Sequence, residues 1–112
     1  MASTEDRTRL APMRRSATMV AVLARLRRRK TASQLHEALM MNGIVVEERP
    51  LKELLRRLVK QKVINSESRG SGKALARYYV LSETGRATLT TMAEEWRQLN
   101  HCLEGLLEEV VR

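Results

Sequence analysis

The segment Glu48-Arg-Pro-Leu-Lys-Glu-Leu-Leu-Arg-Arg-Leu-Val-Lys60 interleaves five cations, Arg49, Lys52, Arg56, Arg57 and Lys60, with four leucines, Leu51, Leu54, Leu55 and Leu58. Spacings of three and four residues place the leucines on one side of a helix and the cations on another. A cationic helix face neutralises phosphates, and an arginine on it can pair bidentately with a guanine edge. Acidic Glu48 and Glu53 share the segment and Glu47 precedes it; they exclude some bases or pair locally. A second basic group, Arg69, Ser71, Lys73 and Arg77, surrounds Gly70 and Gly72. Ser33 and Gln34, near the start of an earlier helical stretch, carry hydroxyl and amide groups of the kind that hold a phosphate backbone.

Other chemistry finds little footing. Cys102 is the only cysteine, and His36 and His101 have no ligands at metal-binding spacing, so neither an internal disulfide nor a zinc cluster is expected. No nucleophile–base pair or phosphate loop is visible, which argues against an enzyme, and no cofactor is implied. The run Arg25–Lys30 is read first as a basic helix end.

The charge is unevenly placed. Of 112 residues, those from Met1 to Leu81 include 18 Lys and Arg against 7 Asp and Glu, a net +11, whereas those from Ser82 onward include 3 against 6, a net −3. A basic body with a mildly acidic tail fits a phosphate binder with a separate protein-contacting element. No apolar run is long enough for a membrane span, and the first residues lack the apolar core of a signal peptide, so a cytoplasmic, nucleoid-associated protein with no membrane partner is expected.

These side chains need elements to hold them. Residues 1–15 are polar, end near Pro12 and are expected as a flexible arm. Ser16 then caps a helix over residues 17–28, and Thr31 and Gln34 form a capping box for a short helix stopped by Gly43. After Ile44-Val45-Val46 a third helix runs from Glu48 to Gln61, with Pro50 in its first turn. The period then switches to that of strands: residues 63–68 and 75–81, joined by a glycine-containing basic loop. Tyr78 and Tyr79 must point to opposite faces of the second strand, one of them inward. Ser82 caps a long final helix, whose first turn Gly85 slightly weakens.

Three short helices followed by a hairpin form a winged helix-turn-helix, in which the third helix enters the major groove and the hairpin flanks it. The predicted class is mainly α with a small β-hairpin, a winged domain over residues 16–81 plus a long C-terminal dimerisation helix over residues 82–112. In that last helix Leu89, Met92, Trp96, Leu99, Leu103, Leu106 and Val110 follow one another at alternating steps of three and four. Such a pattern is a seam for another helix. Cys102 lies beside it and is expected to be a small buried hydrophobe.

The stretch LLRRLVKQKVINSESRGSGKALARYYVLSETGR, continued by EEWRQL, resembles the PadR family of bacterial regulators in its helix end, wing, paired tyrosines, Leu-Ser-x-x-Gly-Arg entry and Glu-Trp stretch. The resemblance spans 54 residues, from Leu54 to Leu107. It implies a homodimer formed by the last helix, with Lys52 standing where the family has a backbone-contacting tyrosine. Some regulators of that family hold flat hydrophobic ligands between subunits; Trp96 is read first as an anchor of the dimer seam, and contact with a small hydrophobic effector is a compatible second role. The expected function is that of a homodimeric, sequence-specific DNA-binding regulator, a repressor more readily than an activator, on a palindromic operator. A segregation or structural DNA-binding protein of a plasmid or phage, and a protein-interaction adaptor using the winged helix as a scaffold, are the rival readings.

Overall fold

In a computed structural model, which describes residues 3–111, four helices and one antiparallel hairpin follow the order α1 (Thr4–Arg25), α2 (Ala32–Met41), α3 (Glu48–Lys60), β1 (Ile64–Arg69), β2 (Ala76–Leu81) and α4 (Glu83–Val111). The expected winged helix-turn-helix with a long final helix is therefore present.

The first correction concerns α1. Residues 4–15, expected as an arm, are helical; Met1 and Ala2 lie outside the described residues. Ser3 accepts a hydrogen bond from the Asp6 N–H while the Asp6 carboxylate accepts from the Ser3 N–H, and Arg9 reaches both Glu5 and Asp6. That capping box starts the helix well before Ser16, whose hydroxyl instead donates to the Pro12 carbonyl inside it. Pro12 forfeits one backbone hydrogen bond without ending the helix, which runs on to turns whose Val22 and Leu23 are buried.

The other boundaries follow local chemistry closely. Thr31 and Gln34 form the anticipated capping box. Gly43, at φ +79°, closes α2: its N–H donates to the Met40 carbonyl and that of Ile44 to the Leu39 carbonyl. The same double closure ends α3, from Lys62 to Val59 and Val63 to Leu58, with Lys62 at φ 60°.

The core gathers Val22, Leu23 and Leu26 of the α1 end, Leu35 and Leu39 of α2, the four α3 leucines, Ile64 and Leu81. Ile64 faces Leu81 across the hairpin, and Tyr79 packs against the core from two residues earlier, as the strand period requires. The α1–α2 connection adds a short third edge. Lys30 exchanges both backbone hydrogen bonds with Tyr79, and the Leu81 N–H donates to the Leu26 carbonyl.

The start of α4 is locked to the end of α3. Ser82 caps it by accepting from the Gly85 N–H at 3.0 Å, and its hydroxyl lies 2.7 Å from the Lys62 carbonyl and 2.9 Å from that of Val63. Gly85 is required for packing: a Cβ there would lie 2.0 Å from the Val63 carbonyl oxygen. Leu89 and Met92, in the first three turns of α4, pack against the core, and the described residues span 59 × 31 × 23 Å.

Candidate nucleic-acid interface

With its four leucines turned inward, α3 presents Arg49, Lys52 and Arg56 together along a shallow outward groove that also holds Glu48 and Glu53. Arg49 lies 3.7 Å from Glu53, an exposed pair worth little energetically, so the arginine is readily released to another anion. Lys60 is exposed at the last turn. Arg57 is placed differently. It stands one helical step round from Arg56 and shares a groove with Arg7, Arg14 and Arg15 of α1, floored in part by Val46, Pro50 and Leu54.

Lys52 also borders a small nook with Ala32, Ser33 and His36, so the N-terminus of α2 and the first turns of α3 meet there. Ser33 is exposed and unengaged by any side-chain hydrogen bond among the described residues. The Gln34 carbonyl oxygen is occupied by the Thr31 N–H at 2.9 Å, leaving its amide donors outward. His36 Nε2 lies 2.8 Å from the Val46 carbonyl and ties α2 to the connection before α3, a role the sequence pattern did not disclose.

On the hairpin, Glu67 is shared by Arg69 and Arg29, each at 3.2 Å. Arg77 donates to the Ser66 hydroxyl at 2.9 Å. Ser71 and Lys73 are exposed in the tip, which closes through a single 3-10 turn, Gly72–Ala74. Gly70 at φ +88° makes that closure possible, because a Cβ would lie 2.4 Å from the Ala74 carbonyl oxygen. Among the described residues the tip thus holds one free cation, Lys73, while Arg69 and Arg77 are steadied by neighbours.

Along α4, Leu89 and Met92 are half-buried against the chain's own core. Trp96 is 42% exposed, and Leu99, Leu103, Leu106 and Val110 are exposed beyond it. Cys102, expected to be buried, is exposed in the single chain because the distal helix stands clear of the body. No group of three or more potential metal ligands occurs among the described residues, and no described helix is long and apolar enough to cross a membrane.

No family model matches the sequence, and no curated protein does. Solved structures do. The chain is 28% identical to a PadR family transcriptional regulator from Eggerthella lenta DSM 2243, with a TM-score of 0.81 and 91% of each chain covered. The chain has the PadR-like winged-helix fold. The PadR-like fold recurs in a regulator from Bacillus cereus strain ATCC 14579, at 21% identity and a TM-score of 0.79, with 86% of this chain and 96% of that chain covered. Bacillus subtilis PadR, solved in complex with operator DNA, matches at 15% identity and a TM-score of 0.60 over 67% of this chain and 44% of that one. These PadR-like neighbours are transcriptional regulators, a non-enzymatic family, in keeping with the lack of catalytic pairings in the sequence.

Proposed function

We propose that the protein is a DNA-binding transcriptional regulator that acts as a homodimeric repressor on a palindromic operator, in the cytoplasm and on the nucleoid. The observation that carries this reading is the clustering of Arg49, Lys52 and Arg56 on the solvent side of α3, beside the α2 terminus that bears Ser33. In a winged helix that face enters the major groove, with helix-end donors and the wing cations on flanking phosphates. Solution of Bacillus subtilis PadR with operator DNA supports the reading by analogy of fold. Exposure of the distal α4 seam supports the dimer, because a two-fold pair of recognition helices matches a two-fold operator.

Selection from a random duplex library with the full chain tests the proposal. Enrichment of an inverted repeat with half-sites about one helical turn apart is expected. Absence of enrichment, together with no salt-dependent binding to any duplex, would refute it. The half-exposed Trp96 lies where two α4 helices would meet, and we assign it as a contact for a flat hydrophobic effector. Quenching of its fluorescence by such a compound, with a parallel loss of operator affinity, is the expected result.

A further inference from the structure

At the root of the hairpin five cations meet without a carboxylate. A hollow of about 580 Å³ is lined by Ala24, Arg25, Arg27, Arg28, Lys30 and Arg86, drawn from the end of α1, the following turn and the start of α4. Three of these side chains close the carbonyl end of α1: Lys30 Nζ donates to the Arg25 carbonyl at 2.9 Å, Arg27 Nε to that of Ala24 at 2.9 Å, and Arg86 to that of Arg27 at 3.3 Å. Arg25 is turned to the Asn42 side-chain oxygen. Each contact uses only part of the donor set of an ammonium or guanidinium, so donors remain in surplus.

The charge is not neutralised. Among the described residues none of the five forms an ion pair, and the neighbouring Arg29 has taken Glu67. Lys30 is half-buried, and desolvation, followed by repulsion from Arg25, Arg28 and Arg27, holds its ammonium below the ordinary lysine value. An anion seated in the hollow would relieve that repulsion.

We propose that the hollow binds a small polyphosphate anion, as inorganic polyphosphate or the phosphate chain of a nucleotide, at a site separate from the DNA face. Several adjacent cations around one concavity suit a ligand with several adjacent charges better than a single sulfate-like ion. Strand register separates the site from the wing tip. Leu26 bonds to Leu81, at the opposite end of β2 from Ala76, and Lys30 to Tyr79, three residues from Ala76. Three to five residues of strand amount to about 10–16 Å.

Calorimetric titration of the full chain with inorganic triphosphate, at about 0.15 M salt to screen diffuse attraction, tests the site. The wild type binds one triphosphate per chain. Arg28→Ala with Arg86→Ala weakens that binding about tenfold or more, whereas Arg56→Ala with Lys73→Ala changes it less than about twofold. Among the described residues the Arg28 side chain makes no hydrogen bond, and it is exposed, so Arg28→Glu alone, with its fold checked by circular dichroism, supplies a second variant expected to lose binding. No triphosphate binding by the wild type, equal loss in the two double variants, or undiminished binding in Arg28→Glu would each overturn the proposal. A wild type that ignores triphosphate but loses duplex affinity on Arg28→Ala with Arg86→Ala would overturn it in favour of a DNA backbone contact.

Discussion

Lys62 and Gly85 hold opposite lessons about single residues. Lys62 occupies the left-handed position that ends α3, where glycine is the usual occupant and where Gly43 serves α2. A side chain in that conformation costs about 1–2 kcal/mol, partly offset by the entropy that glycine loses on folding. Lys62→Gly is therefore expected to raise stability by about 0.5–1 kcal/mol, read as a higher urea midpoint at unchanged slope. The glycine stop of α2 was visible in the sequence because residue type and role coincide; the lysine stop of α3 was not, because they do not. Gly85 misled in another way. It reads as a weak spot in a helix, yet its missing side chain admits the Val63 carbonyl. Gly85→Ala, favourable by helix propensity alone, should instead cost about 1–3 kcal/mol, since backbone on one side must shift. A urea midpoint at or above that of the wild type would mean that α4 is not held so closely to β1.

Among the elements, α3 was the most legible. All four of its anticipated inward leucines are buried, because a strong helical period with polar neighbours leaves one way to pack. The N-terminal half of α1 was least legible: a proline and a mixture of charges hid a start set by Ser3 and Asp6. Lys30, pairing with Tyr79 as a single bridge, is too short a strand to leave any periodic trace. The α3 cations, close in sequence, divide in space, and this division has a measurable consequence. Each phosphate contact contributes about 0.9 to the slope of log affinity against log salt. Arg56→Ala is expected to lower duplex affinity and reduce that slope by about one, whereas Arg57→Ala, whose side chain faces the α1 groove, leaves the slope nearly unchanged. An equal reduction of the slope in both variants would place both arginines on phosphate.

At the scale of the whole molecule, one helix serves two surfaces. The 29 residues of α4 extend about 43 Å, more than the winged body can cover. Leu89 and Met92 complete the chain's own core, whereas Leu99 is 56% and Leu106 61% exposed, with Leu103 and Val110 on the same stripe. The sequence pattern runs through both portions without a break, so it could reveal a seam but not where the chain's own core stops using it. A stripe of this kind facing water is costly, and two copies pairing their distal halves would remove it. Burial of each leucine-sized side chain contributes about 1.5–3 kcal/mol. Leu99→Glu combined with Leu103→Glu removes two such contributions and places carboxylates against their symmetry mates. Because both residues are exposed and outside the winged body's core, the double variant is expected to sediment as a folded monomer at micromolar concentration, while the wild type sediments as a dimer. Operator binding should then fall steeply for paired half-sites and little for an isolated one, since the variant loses only the linkage between two recognition helices. If the wild type itself sediments as a monomer, the homodimer is refuted and the stripe must be met by a different chain.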